Sequence, residues 1–184
     1  MPETSTFSLD NRERDDAFAN QGKPWRAVTD TVMGGISQAA LHATMVDGKP
    51  CLRLSGEVRL ENNGGFVQAS LDLGTDGLLD ASGFDGIEIE VCGNNDRYNL
   101  HLRTADTQRV WQSYRHSFTA GAHWQTLRIP FTAFVPHRIQ LALNTRQLRR
   151  IGIVAIGRKM QADICFRGLA LYRTNLVAQK TLPR

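Results

Sequence analysis

Long apolar runs are missing from this sequence. No stretch approaches the ~20 residues that a membrane-spanning helix requires. The opening MPETSTFSLDNRERDDAFANQG has neither the apolar centre of a secretory signal nor the acid-poor, Arg-rich make-up of a transit peptide. A cytoplasmic chain is therefore expected, with no membrane span and only peripheral association left open. Cysteine is also scarce: Cys51, Cys92 and Cys165 are odd in number and far apart, with no CxxC, which argues against a disulfide framework or a zinc site. Each lies in an apolar stretch (PCLRL, IEVCG, DICFRG), as buried thiols of a reducing compartment do.

Signatures of catalysis are lacking too. The five histidines (His42, His101, His116, His123, His137) show no metal-ligand spacing, and no GxSxG elbow occurs. Neither Glu88 nor Glu90 has an evident partner carboxylate for acid–base work. VMGGIS has no Lys for a phosphate loop, and no GxGxxG opens a helix after a strand. No catalytic residue, metal ligand or cofactor is assigned, and an enzyme is not expected. Charge is nearly balanced, with 22 basic residues against 18 acidic for a net +4 and a pI near 9.2. The densest basic run, RQLRR (Arg146 to Arg150), has no interleaved aromatics, so it reads as a solvated turn or edge and nucleic acid is not an expected partner.

Helical periodicity is thin. DNRERDDAFANQ and NTRQLRRI could each form a short connector turn, and the last dozen residues, RTNLVAQKTLPR, end in a polar tail. What the chain has instead is alternation at period two. In DGIEIEVCG, Ile87, Ile89 and Val91 oppose Glu88 and Glu90; in YNLHLRT, Tyr98, Leu100 and Leu102 oppose Asn99, His101 and Arg103. CLRLSGEVRL, FVQASLDL, WQSYRHSF, WQTLRIPF, RIGIVAIG and ADICFRGLALY add further strands, separated by turn pairs such as Asp47-Gly48 and Asp85-Gly86. Eight or nine short strands in 184 residues, 41% of them hydrophobic, predict one all-β domain, an antiparallel jelly-roll β-sandwich.

Two glycine pairs stand out, in TDTVMGGIS (Gly34, Gly35) and ENNGGF (Gly64, Gly65). Glycine supplies positive φ or close backbone approach, and Asp30 and Ser37 are placed to bond local amides. Asn62 and Asn63 present both donors and acceptors that suit sugar hydroxyls or a peptide backbone, and equally suit a tight turn. Asp30 and Asn62 could face each other as scaffold or face a partner. On the polar strand, Trp111, Ser113 and Arg115 point one way, and Gln112, Tyr114 and His116 the other. Arg103, Trp111, Tyr114 and Arg115 are candidates to stack and hydrogen-bond a sugar or grip a protein, with Trp111 or Tyr114 belonging to the core. Trp124, Phe131 and Phe134 read as core anchors, and Pro130 belongs at an edge or bulge.

In order along the chain, WRAVTDTVMGGIS (Trp25 to Ser37), LENNGGFVQASLDL (Leu60 to Leu73), WQTLRIPFTAFVP (Trp124 to Pro136) and the closing ICFRGLALY resemble the complex I intermediate-associated protein family. Trp25, Met33, Gly34, Gly35, Ser37, Gly64, Gly65, Phe66, Trp124, Pro130 and Phe131 carry the signature. The resemblance covers residues 18–173, with 1–17 as an N-terminal extension and 174–184 as a tail, and the chain looks like a bacterial stand-alone member. It implies a galactose-binding-domain-like jelly roll similar to some carbohydrate-binding modules. For the mitochondrial members it implies a role in assembling respiratory complex I (NADH:ubiquinone oxidoreductase). The expectation is a non-enzymatic protein-interaction domain, an assembly or chaperone-like factor with a protein partner. The alternative is a carbohydrate-binding module, and an uncharacterised enzyme ranks third.

Overall fold

Alternating sequences need a partner layer to cover their apolar side, and this chain supplies two sheets for the purpose. The computed structural model describes residues 3–11, 23–74 and 76–175. Twelve strands lie within them: β1 (Glu3–Asp10), β2 (Trp25–Thr29), β3 (Gln38–Val46), β4 (Lys49–Val58), β5 (Phe66–Asp72), β6 (Gly86–Gly93), β7 (Asp96–Thr104), β8 (Ser113–Ala120), β9 (Gln125–Pro130), β10 (Val135–His137), β11 (Leu148–Ile156) and β12 (Met160–Asn175). One sheet runs β3-β4-β12-β6-β9, with β1 also paired to β12; the other runs β10-β8-β7-β11-β5-β2. Every pairing between these strands is antiparallel. The only helical pieces among the described residues are four one-turn 3-10 segments, Thr145–Gln147 falling where NTRQLRRI predicted a turn. None is long and apolar enough to cross a membrane.

The core lies between the sheets. Leu52 and Leu54 of β4, Ile87, Ile89 and Val91 of β6, and Ile164 and Phe166 of β12 meet Val67 and Leu71 of β5, Leu100 and Leu102 of β7, and Ile151 and Ile153 of β11. All are buried, and each aliphatic side chain so placed contributes roughly 1.5–3 kcal/mol relative to exposure. This burial fixes register, because a slip of one residue would exchange Leu100 and Leu102 for His101 and Arg103. Trp25 closes one end, its ring centroid 4.8 Å from that of Phe166 and its indole N–H donating to Asp10 Oδ2 at 2.8 Å.

Four strands exceed the expected set: β1, β2, β3 and β10. β1 is largely exposed, β2 is an edge strand and β10 has three residues; β3 alternates, with Ala39 and Leu41 against the core, but its apolar phase is rich in alanine and gives a weak signal. β1 lies where an extension was expected, paired along the C-terminal half of β12. DNRERDDAFANQ and the tail beyond residue 175 lie almost wholly outside the described residues. Pro130 ends β9, an edge strand, as its missing N–H requires. Phe131 and Phe134 are buried in the core, but Trp124 is not among its members. Half-buried, it covers a small separate cluster of Cys51, Cys92 and Cys165, with its indole N–H donating to Val46 O at 3.2 Å.

The glycine pairs answer to one carboxylate. Asp30, fully buried, accepts hydrogen bonds at Oδ1 from Ser37 N (3.0 Å) and at Oδ2 from Ser37 Oγ (2.5 Å), Gly65 N (2.5 Å) and Phe66 N (3.3 Å). A Cβ on Gly35 would fall within 2.4 Å of Asp30 Cγ, and one on Gly64 within 2.5 Å of Oδ2. The remaining glycine of each pair, Gly34 (φ 87°) and Gly65 (φ 135°), supplies the positive φ that lets the chain turn around the carboxylate. Asn62 and Asn63 also have positive φ, and Asn62 Nδ2 donates to Gly34 O at 3.2 Å. Asp30 and Asn62 therefore join the two loops to each other.

Burial alone would raise the Asp30 pKa, but the hydrogen bonds from the Ser37 hydroxyl and the Gly65, Ser37 and Phe66 amides outweigh it and hold the group below its ordinary value of 3.8. Since the folded-state carboxyl is the stronger acid, its stabilisation is complete above that ordinary value and is lost as pH falls through the lower folded one. Asp30→Asn is expected to reduce unfolding free energy at pH 7 by about 2 to 4 kcal/mol, by leaving buried donors unmatched, and to weaken the acid dependence below pH 4. Gly64→Ala should destabilise in the same direction. Urea unfolding at pH 7 and pH 3 measures both, and wild-type midpoints in the two variants would show that this clasp adds no stability.

Candidate functional site

The register that turns Leu100 and Leu102 inward turns His101 and Arg103 outward, on the solvent side of the second sheet. Across that face His101 stands opposite Arg115 of β8 and Gly152 of β11, while Arg103 stands opposite Arg150 and Val154 opposite Gln68 of β5. Gly152 leaves room that a side chain would fill: a Cβ there would lie 2.6 Å from Gln68 Oε1. The result is a hollow of about 200 Å³. Its floor comes from Phe66, Gln68, His101, Arg103, Ser113, Arg115, Arg150, Gly152, Val154 and Ile156, and its walls from Met33 and from Val110, Trp111 and Gln112 of the β7–β8 loop. Met33 and Phe66 flank the Asp30 clasp, which thereby shapes one side of the hollow.

Arg103 also positions a wall. Its Nη2 donates to Thr107 O (2.8 Å) and Arg109 O (3.1 Å), fixing the loop that presents Val110 and Trp111. Gln112 secures the same loop, accepting from Arg109 N (3.0 Å) and donating to Arg138 O (3.2 Å). Arg115 Nε donates to Ser113 Oγ at 2.8 Å. Arg150 Nε donates to Asp72 Oδ1 at 2.7 Å, and Asp72 in turn bridges to Arg26.

Among the described residues no carboxylate lines the hollow. Burial, with Arg150 and Arg149 nearby, lowers the Arg103 pKa; burial, with Arg138 nearby, lowers that of Arg115. Both nonetheless remain cations at neutral pH. His101 is shifted down to about 3, first by burial and then by Arg115 and His137, so its imidazole is neutral at pH 7. Its Nε2 and the Nε of Arg103 are buried without hydrogen-bond partners. The hollow thus gathers three guanidinium cations, a neutral imidazole, two amides and a half-exposed indole, groups suited to binding. Among the described residues no group of three or more His, Cys, Asp or Glu is arranged to hold a metal ion.

The residues singled out in the sequence divide cleanly. Arg103, Trp111 and Arg115 come together in the hollow. Tyr114 faces the opposite way, fully buried in the core with its hydroxyl donating to Leu141 O at 2.8 Å, so Trp111 is the aromatic left on the surface. Asp30 has no exposed surface, and Asn62 and Asn63 belong to the turn that closes its clasp. Gln68 and Arg150 line the hollow and were not anticipated, although the polar phase of FVQASLDL carried a signal for Gln68. Met33, expected as a structural residue, is 56% exposed at the wall.

The depressed His101 value has a measurable consequence. The unfolded chain takes up a proton near the ordinary 6.5, the folded chain only near 3. The stabilisation from His101 is therefore complete above pH 6.5 and declines by up to about 1.4 kcal/mol per pH unit as pH falls from there towards 3. His101→Gln should flatten this part of the stability–pH curve, and NMR of the wild type should show no titration of the His101 ring between pH 5 and 8. A midpoint near 6.5 would contradict the buried, cation-flanked environment.

Comparison with known proteins places this geometry in context. No curated protein sequence matches the chain. Among solved structures it is similar to the family 11 carbohydrate-binding module of the cellulosomal cellulase Lic26A-Cel5E of Clostridium thermocellum, with a TM-score of 0.73 and 14% identity over 95% of this chain and 98% of that one. A structure of the Clostridium thermocellum family 11 module with a beta-1,3-1,4-mixed-linked tetrasaccharide gives a TM-score of 0.69 at 14% identity, covering 94% and 96%. The family 30 module of the cellulosomal cellulase Cel9D-Cel44B of the same organism gives 0.62 at 13%, covering 92% and 96%. At these identities the likeness establishes the galactose-binding-like jelly-roll sandwich and nothing more specific. In sequence, the family model described as Complex I intermediate-associated protein 30 (CIA30) matches residues 13–165, most of the length. The chain thus belongs to the complex I intermediate-associated protein 30 family.

Proposed function

We propose that this chain is a non-enzymatic interaction domain of the assembly-factor kind, which docks the face bearing the hollow onto a protein subunit of a multisubunit complex. The family description makes respiratory complex I, NADH:ubiquinone oxidoreductase, the leading candidate for that complex. The observation that carries the reading is the apolar rim around a cationic floor. Val110 (73% exposed), Trp111 (52%) and Met33 line the hollow, the exposed Val32 precedes Met33 and the exposed Ile36 follows it after the glycine pair, and Val135 pairs with Arg115 from the edge strand β10. Exposed apolar side chains clustered around a few charges are the composition of an interface core rather than of ordinary surface. Docking there would cover apolar surface on an incomplete subunit until its permanent neighbour arrives.

A second reading, carbohydrate recognition, is favoured by the half-exposed Trp111 beside hydrogen-bonding groups on a sheet face, together with the fold shared with carbohydrate-binding modules. Co-purification from the native host separates the two. The docking reading expects a stoichiometric protein partner that is lost in a Val110→Asp, Trp111→Ala double variant of unchanged stability. If no protein is retained and calorimetry shows binding of neutral oligosaccharides at millimolar concentration, carbohydrate recognition replaces it.

A further inference from the structure

The two outer faces of the sandwich treat charge differently. On the first sheet, Arg53 is bound to Asp163 (2.6 Å), Arg128 to Glu88 (2.6 Å), and Glu90 lies between Lys49 and Arg167. In the hollow on the second sheet, Arg150 has Asp72, but neither Arg103 nor Arg115 has a carboxylate partner among the described residues. A part-buried cation without a counter-charge is costly, and the cost is recovered when an anion enters.

Hydrogen-bonding capacity is unfilled on both faces, but on the first sheet the unbonded Arg167 Nε lies 3.7 Å from the Glu90 carboxylate, whereas Arg103 has no carboxylate beside it among the described residues. Arg103 Nε and His101 Nε2 are buried and unpartnered, and the Arg115 guanidinium spends only its Nε, on Ser113. Guanidinium groups present paired N–H donors that match the oxygens of carboxylate and phosphate. Beside them Trp111, half exposed, offers a flat apolar surface of the size of one ring. The volume, about 200 Å³, suits a single ring better than a chain of them.

We propose that the floor of the hollow is a receptor for an oxyanion, the carboxylate or phosphate of a sugar-sized ring, gripped by Arg103 and Arg115 with the ring lying against Trp111. The proposal goes beyond protein docking and does not depend on it, since it concerns a small ligand and the isolated chain. Uronic acids and sugar phosphates share the required chemistry, and the test tells them apart.

The full chain is titrated with glucuronate, glucose 6-phosphate and glucose, by calorimetry and by NMR of the Trp111 indole and His101 ring signals. At least one of the two anions is expected to bind about tenfold or more tightly than glucose, weakening as salt is raised and shifting both reporter signals. Preference for glucuronate or for glucose 6-phosphate identifies the anion. Arg115→Gln is expected to cost about tenfold in affinity for that anion, whereas Arg128→Gln, on the opposite sheet, should leave it unchanged. Stability measured in parallel confirms that both variants are folded. Equal binding of glucose and both anions, or no anion binding by the folded wild type up to about 10 mM, would overturn the proposal. Loss of the protein partner in co-purification would leave these titrations untouched, and the reverse holds as well.

Discussion

The Asp30 carboxylate is the constraint on which the rest of this surface depends. A buried carboxylate is tolerated only when its oxygens are met by donors, and here the donors come from two loops about thirty residues apart in sequence. The loops must approach so closely that a Cβ at Gly35 or Gly64 would collide with the carboxylate they surround. Ser37 adds a further link, its hydroxyl accepting from Arg59 N at 2.9 Å while donating to Asp30. The clasp thus holds the start of β5 against the segment after β2. Met33 and Phe66, which flank it in sequence, are set at one side of the hollow as a consequence.

From there the period-two rule propagates. Each strand of the second sheet spends one phase on the core, and the other phase is free for function. On β7 the buried phase is Tyr98, Leu100 and Leu102, and the free phase is Asn99, His101 and Arg103. The core contributes far more to stability than the polar phase does, so the free positions can carry groups that destabilise the fold slightly. His101, kept neutral, and Arg103 and Arg115, without a counter-ion among the described residues, are such groups. Departures of this kind from local optimality are characteristic of binding sites.

Much of the fold was legible because alternation is a local property. DGIEIEVCG and YNLHLRT display both of their faces in the sequence itself. The edge strands were harder to read: β3, with one sheet neighbour, sets Ala39, Leu41, Ala43 and Met45 in one phase, but that phase is half alanine and only Ala39 and Leu41 pack against the core. The signature glycines were visible, but that they enclose Asp30 is a tertiary fact. For WQSYRHSF the two phases were evident, and only the structure decides which faces the core, sending Tyr114 inward and Arg115 outward. Gln68 and Arg150 enter the hollow through the pairing of β5 with β11 and of β11 with β7, and no spacing within either segment encodes that pairing.

The first sheet offers the contrast, an outer face on which Arg53, Arg128 and Glu90 all lie within ion pairs. Cys51, Cys92 and Cys165 converge there although they are far apart in sequence, because Cys92 and Cys165 are register partners on β6 and β12 and Cys51 lies on the adjacent β4. Burial beneath Trp124 and Val46 pushes the thiols of Cys92 and Cys165 up, away from the reactive thiolate form. Around the cluster Arg53 pairs with Asp163, and Glu90 lies 3.8 Å from Lys49 and 3.7 Å from Arg167; surface ion pairs of this kind add little to stability. The second sheet, built from the same alternation and the same kinds of residue, leaves Arg103 and Arg115 without a carboxylate partner among the described residues, around a hollow with a half-exposed indole at its wall. The asymmetry is therefore the physical ground for the proposal that the second sheet, rather than the first, is the working surface of the domain.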